Sequence, residues 1–280
     1  MIPAPFDYEV AESAEHAVEL LGSREDAKLL AGGHSLIPLL RLRVTRPALL
    51  VDIGRIDDLR YVRDAGDTLA IGGMTRHHNI QHDTLVQEHA PVLSYAAGLI
   101  GDPQVRHRGT IGGSLAHADP AGDLPAVLTA LDAEAVIRGP EGERTVPVGE
   151  FVTGVFDTVL GPQDVLTEIR VPKLGPAAGW SYLKFTRRAQ DWATVGVSAI
   201  VHRSNGSVDG SAIVFTNMGP KPARATAAEL ALKTPGDIEA AAEASLEGTD
   251  PPTDTQGSAE YRRHLAKVLV RRALLVAISR

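Results

Sequence analysis

The sequence predicts a mixed α+β protein in two parts, residues 1–176 and 177–280. Three observations carry this. Short apolar runs bounded by glycine and turn residues recur along the chain, as strands require. Helically spaced stretches are interleaved with them, so a pure helical bundle is excluded. The Pro/Gly/Ala stretch Pro172–Gly179 interrupts the pattern and marks the border.

Taken in order, Ala14–Leu21 has helical spacing and is followed by strand-like Lys28–Ala31. Gly32 and Gly33 then open a backbone turn onto Leu36–Arg43, whose apolar spacing and basic tail predict a short helix. Leu49–Ile53 and Leu69–Gly72 read as strands. His89–Ile100 reads as a helix, Asp102–Ser114 as a second glycine turn, and His117–Gly122 as the lead into a helix over Leu124–Leu131. Strands follow at Glu134–Arg138, Arg144–Val148 and Val165–Val171.

The second part opens with strands at Trp180–Phe185, Thr194–His202 and Ser211–Asn217. Helical patterns follow at Arg224–Leu232, Ile238–Glu247 and Ser258–Ile278. The last looks amphipathic, with Arg262, Arg263, Lys267, Arg271 and Arg272 set beside Leu265, Val268, Leu269 and Leu274. No internal repeat or low-complexity segment is present.

Composition narrows the function. A formal net charge of −7 argues against a surface that tracks nucleic-acid phosphates. The chain has no cysteine, so it offers neither disulfides nor thiolate ligands for zinc or iron–sulfur centres. MIPAPFDYEV lacks the features of a signal peptide and no run is long enough to span a bilayer, so the expected location is the cytoplasm. His77, His78 and His82 lack a second ligand set, and Asp119 with His117 is turn chemistry, so no metal is expected.

AGGHSL at 31–36 and TIGGSL at 110–115 are the features that point to chemistry. Glycine lets backbone N–H groups approach an anion, and successive N–H groups form a nest suited to a pyrophosphate. Ser35, Thr110 and Ser114 could add hydroxyl donors. One diglycine is ordinary loop punctuation; the matched pair is what carries the reading. Neither fits G-x-G-x-x-G nor the P-loop G-x-x-x-x-G-K-S/T. A nucleophile elbow at Ser35 would need glycine where Ile37 stands.

Four ordered segments carry a resemblance: KLLAGGHSLIPLLRLR at 28–43, GDPQVRHRGTIGGSLAHADPAGDLPAVLTALDA at 101–133, DVLTEIRVP at 164–172 and YLKFTRRAQDWATVGV at 182–197. Through them the chain resembles the FAD-binding subunits of molybdenum hydroxylases. The resemblance runs from Phe6 to the C-terminal helix. It implies a two-part FAD-binding domain of the p-cresol methylhydroxylase (vanillyl-alcohol oxidase) type, followed by a smaller α/β C-terminal domain of the carbon monoxide dehydrogenase flavoprotein type.

The resemblance also implies site residues. The FAD pyrophosphate would lie between Ala31, Gly32, Gly33, His34 and Ser35 on one side and Thr110, Ile111, Gly112, Gly113 and Ser114 on the other, with Lys28, Leu30 and Leu36 alongside. Asp123 would engage the ribityl and adenosine side, although as a helix N-cap it has an equally simple reading. Val165 and Leu166 would lie against the flavin system. Lys184 would stand near the isoalloxazine, where a cation stabilises the anionic reduced form. Tyr182 would shield the ring, and Asp191 lies in a loop resembling one that flanks it. Ser114 stands where other members have Asn or Asp. No cysteine or histidine resembles a covalent flavin anchor, so binding is expected to be noncovalent.

By the same resemblance, substrate is oxidised on a molybdopterin-containing large subunit and electrons cross an iron–sulfur (2Fe-2S) small subunit to the FAD, in a dimer of heterotrimers. No catalytic residue is then expected on this chain. The DWATVG segment most resembles the carbon monoxide dehydrogenase branch; flavin subunits of xanthine, aldehyde and heterocycle dehydrogenases are alternatives, and the external acceptor (quinone, NAD or oxygen) stays open. Two other classes compete: a free-standing flavin oxidoreductase, and a nonenzymatic nucleotide-binding module.

Overall fold

The computed structural model describes residues 1–280. The chain begins with β1 (Asp7–Val10), α1 (Ala14–Gly22), β2 (Ala27–Leu30), α2 (Leu36–Arg41) and β3 (Leu49–Asp52). The strands form a parallel sheet in the order β1-β3-β2. Leu49, Leu50 and Val51 of the central strand are all buried, as a parallel strand covered on both faces requires. The Ser13 hydroxyl accepts from the His16 N–H at 3.0 Å and caps α1, whose Ala17, Val18 and Leu21 face inward.

A second layer contains β4 (Val62–Asp64), β5 (Thr68–Gly72), the helices α3 (His77–His82), α4 (Thr84–His89), α5 (Pro91–Gly98), α6 (Pro103–Arg108), α7 (Ile111–His117) and α8 (Asp123–Ala130). Then come β6 (Glu134–Gly139), β7 (Gly142–Pro147), α9 (Val148–Phe151), β8 (Val152–Gly154), β9 (Asp157–Thr158) and β10 (Val165–Pro172). Five strands make an antiparallel sheet, β4-β5-β10-β6-β7. Every residue of α8 is buried.

The last part comprises β11 (Ala178–Phe185), β12 (Val195–Ser204), β13 (Ser207–Thr216), β14 (Ala223–Arg224), α10 (Thr226–Ala231), α11 (Ile238–Ala244) and α12 (Ala259–Ser279), with the strands antiparallel in sequence order. Val195 through Val201 of β12 are buried without alternation. The reason is that one face of this sheet packs on α12, α11 and α10, while the other packs on α8. Gly179 allows the closest approach: a Cβ there would overlap the Ala277 carbonyl oxygen of α12.

The two-part α+β architecture expected from the sequence is therefore present, and the strands fall within a few residues of the predicted runs. The differences are local. The predicted helix His89–Ile100 begins later, as α5, and His89 instead ends α4. Pro91 cannot supply the N–H that would continue α4, and its fixed φ suits the first position of a new helix. The predicted turn Asp102–Ser114 is two helices. Asp102 caps α6 through the Val105 N–H at 3.0 Å, and Thr110 caps α7 through the Gly113 N–H at 3.1 Å. Gly112 and Gly113 thus sit inside a helix, where a Cβ on Gly112 would lie 2.7 Å from the Gly73 carbonyl oxygen. Tertiary packing overrides the turn propensity of the diglycine. Arg262 is not on the polar face of the last helix; it is fully buried. The strand β1 and the helices α3 and α4 were not expected.

Candidate functional site

Between β2 and α2 the chain runs through Ala31–Ser35, with Gly33 at φ +79°, a left-handed conformation that favours glycine. The backbone N–H groups of Ala31, Gly32, Gly33, His34 and Ser35 donate to no acceptor in the chain. A run of such groups at a half-exposed turn has the donor pattern of a backbone anion nest. The Ser35 hydroxyl makes no capping bond to α2 and stays available beside the nest.

The second diglycine segment is built differently. The N–H groups of Ile111, Gly112, Gly113 and Ser114 are taken by Thr75, Gly73, the Thr110 side chain and the Thr110 carbonyl. This corrects the expectation of two equivalent turns: α7 contributes a surface, and the donors come from the first turn. The two segments do come together. A Cβ on Gly32 would overlap the Arg108 carbonyl oxygen, and one on Gly113 would lie 3.7 Å from the Ala31 Cβ. The Arg76 guanidinium donates to that same Arg108 carbonyl.

Asp123, Tyr182 and Lys184 form a single buried network. The Lys184 ammonium donates to Asp123 Oδ2 at 2.8 Å and to the Leu99 carbonyl at 3.2 Å; the Tyr182 hydroxyl donates to Asp123 Oδ1 at 2.5 Å. Both members of the ion pair have side chains only 6% exposed. Burial lifts the Asp123 carboxyl above the usual range while Lys184 opposes it, and burial with the adjacent carboxylate drives the Tyr182 hydroxyl far up. Tyr182 is packed into the core, so it offers no open ring face of the kind the shielding role requires.

Val165 and Leu166 are buried in two separate cores, on opposite faces of β10, so only their backbone can face a ligand. Lys28 is exposed, and Leu30 and Leu36 are half-buried beside the nest. Asp191 lies in the loop after β11. That loop is held by groups that spacing alone could not single out. Asn217 Nδ2 donates to the Ala193 carbonyl at 2.7 Å, and the Asn217 N–H bonds the Pro120 carbonyl at 2.9 Å. Arg262 donates to the Thr194 carbonyl and, at 2.7 and 2.8 Å, to both Asp254 oxygens. A cleft of about 610 Å³ opens there, walled by Trp192, Pro120, Asn217 and Asp254.

A nest of free backbone donors pressed against a second glycine segment, with a two-part α+β scaffold behind it, defines a protein that binds a phosphate-bearing cofactor. Comparison identifies that cofactor. Residues 4–174 match the family described as FAD binding domain in molybdopterin dehydrogenase, and residues 180–277 match the CO dehydrogenase flavoprotein C-terminal domain. The chain is 42% identical to the carbon monoxide dehydrogenase medium chain of Hydrogenophaga pseudoflava, covering 100% of this chain and 99% of that one. It is 41% identical to the 6-hydroxypseudooxynicotine dehydrogenase complex subunit alpha of Paenarthrobacter nicotinovorans, covering 100% and 97%. It superimposes on the Hydrogenophaga pseudoflava carbon monoxide dehydrogenase structure with TM-score 0.97 and 44% identity, covering 100% and 99%. The chain belongs to the FAD-binding medium subunits of the molybdenum hydroxylase family, and its cofactor is FAD.

Proposed function

We propose that this chain is the electron-transferring flavin subunit of a complex of the carbon monoxide dehydrogenase type, assembled with a molybdopterin-containing large subunit and an iron–sulfur small subunit. The observation that carries the site is the unbroken run of free backbone donors at Ala31–Ser35. They would bind the pyrophosphate, with the Ser35 and Ser114 hydroxyls adding donors. Bound FAD supplies chemistry that couples one-electron exchange with clusters to two-electron exchange with an acceptor.

This chain's own residues bind, orient and shield. Asp123 stands at the first residue of a wholly buried helix, locked by Tyr182 and Lys184, so its remaining lone pairs have a fixed direction. Because Asp123 compensates the Lys184 charge, the electrostatic bias offered to the flavin is that of a buried ion pair and not of a lone cation. The absence of cysteine agrees with noncovalent attachment, and we take 1–176 as the FAD-binding domain and 177–280 as the C-terminal flavoprotein domain.

Substrate choice rests with the large subunit. Relatives of almost equal identity are named for carbon monoxide and for 6-hydroxypseudooxynicotine, which is expected if the flavin chain serves complexes of different specificity. The test is anaerobic reduction of the purified complex, followed by flavin absorbance. Bleaching by carbon monoxide with one releasable FAD per chain supports the proposal; bleaching only by a heterocyclic substrate reassigns the complex. Full reduction of the isolated chain by a small organic substrate would sink the subunit reading in favour of a free-standing oxidase.

A further inference from the structure

The segment that follows the nest is unusual in both charge and exposure. Residues 27–51 contain Lys28, Arg41, Arg43 and Arg46 and no carboxylate, in a chain whose net charge is −7. None of these four cations forms an ion pair within the chain. Among them stand large apolar side chains left in solvent: Ile37 at 43% exposed, Leu42 at 59% and Val44 at 70%.

The backbone holds this combination in place. After α2 the Val44 N–H bonds the Leu39 carbonyl and the Arg43 N–H bonds the Leu40 carbonyl, both at 3.0 Å, which closes the helix in a Schellman motif. Arg43 occupies its left-handed position at φ +60°, where glycine is the usual choice. Its Nε donates to the Ile2 carbonyl at 3.2 Å, bringing another solvent-facing apolar residue, 80% exposed, to the same patch. A strained cationic residue kept at a surface turn, ringed by unpaired cations and exposed aliphatics, has the composition of an interface centre and not of a solvated face.

We propose that Ile37–Arg46, with Ile2, is a docking surface for a protein partner that presents an acidic face with an apolar centre. This rests on the reading of the chain as a subunit of a complex, and deepens it by assigning the face. Charge complementarity selects the occupant: the patch is cationic where the rest of the chain is acidic, which steers an acidic partner and disfavours a second copy of this chain. α2 has only six residues and the patch holds no aromatic anchor, so it lacks the long amphipathic face by which helices lie on lipid. Because α2 starts directly after Ser35, a partner seated here would abut the nest that holds the cofactor.

The experiment compares the full chain, alone and in the purified complex, by hydrogen exchange, together with two variants. Amides of residues 36–46 are expected to be protected in the complex. Leu42→Glu combined with Val44→Glu is expected to lower association with the large and small subunits about tenfold or more, while the free chain keeps its FAD and melting temperature. Arg43→Gly relieves the left-handed residue, so the free chain is expected to be at least as stable while association weakens and loses part of its salt dependence. Unchanged exchange at 36–46 with wild-type assembly of both variants would overturn the surface assignment alone. Wild-type chain that carries FAD yet assembles with neither subunit would overturn the subunit reading itself. Pelleting of the wild-type chain with phosphatidylglycerol vesicles, lost in the double variant while the complex still assembles, would assign the patch to lipid and refute the proposal.

Discussion

Lys184 and Asp123 are a buried pair, and removing one partner leaves the other charged in a poor solvent. Asp123→Ala is expected to destabilise the chain by roughly 3–5 kcal/mol, measured by urea unfolding of the apoprotein. A second change, Lys184→Met, made in that background should recover most of the loss; additive losses would show that the pair is not coupled. His77 gives a pH signature. Burial, reinforced by Arg76, pulls its imidazole down to about 4 from an ordinary 6.5. The unfolded chain therefore takes up a proton that the native chain refuses, so stability is full above 6.5 and falls as pH drops towards 4, by roughly 3 kcal/mol in all. Asp123, lifted by burial, acts in the opposite sense, from the ordinary carboxylate range up to its raised value. Replacing His77 by leucine should flatten the slope between pH 6.5 and 4; an unchanged slope would place the titration elsewhere. At this scale the sequence exposed identities and not partnerships. Resemblance singled out Asp123, Tyr182 and Lys184 as separate cofactor contacts, and nothing in their spacing revealed that they bond to one another.

The helix that begins with the second diglycine is the element most misread from sequence, because diglycine is a turn signal unless something else buries it. Here Gly112 is pressed on Gly73 and Gly113 faces Ala31, so the constraint comes from residues distant along the chain. Gly113→Val would push on the Thr110 hydroxyl that caps α7, 2.7 Å from the new Cβ, and fill the space towards Ala31. The expected result is a folded chain that loses most of its FAD on desalting; full flavin occupancy would remove that surface from the site. Arg262→Met is expected to leave the Ala31–Ser35 turn intact while destabilising the C-terminal part by roughly 3 kcal/mol or more, since Asp254 and the Thr194 carbonyl lose a buried donor. Strands were the easiest elements to read, because β3, β6, β10 and β12 are apolar runs with clear punctuation. Arg262 was not legible: a helix pattern places arginine outside by default, and only the loop that folds over α12 turns that position inward.

Across the whole molecule, the border near residue 176 is visible in composition, yet the packing crosses it. α8 belongs to the first part of the sequence and is the floor on which β12 and β13 of the second part rest, with Tyr182, Ile200, Ala212 and Val214 joined to its core. Composition could not have disclosed this, since burial of every residue of a helix between one sheet and its neighbouring helices α5, α7 and α9 is a property of assembly and leaves only an apolar run behind. Calorimetry of the full chain is expected to give one cooperative transition; two resolved transitions would contradict the shared core. The consequence reaches beyond stability. A polypeptide whose two halves share one helix cannot be released from the ribosome in finished instalments: the first half, once synthesised, must wait with α8 bare on one side until β12 and β13 arrive. That makes the partly made chain a natural client for chaperones, and it makes truncation anywhere between the halves a loss of both.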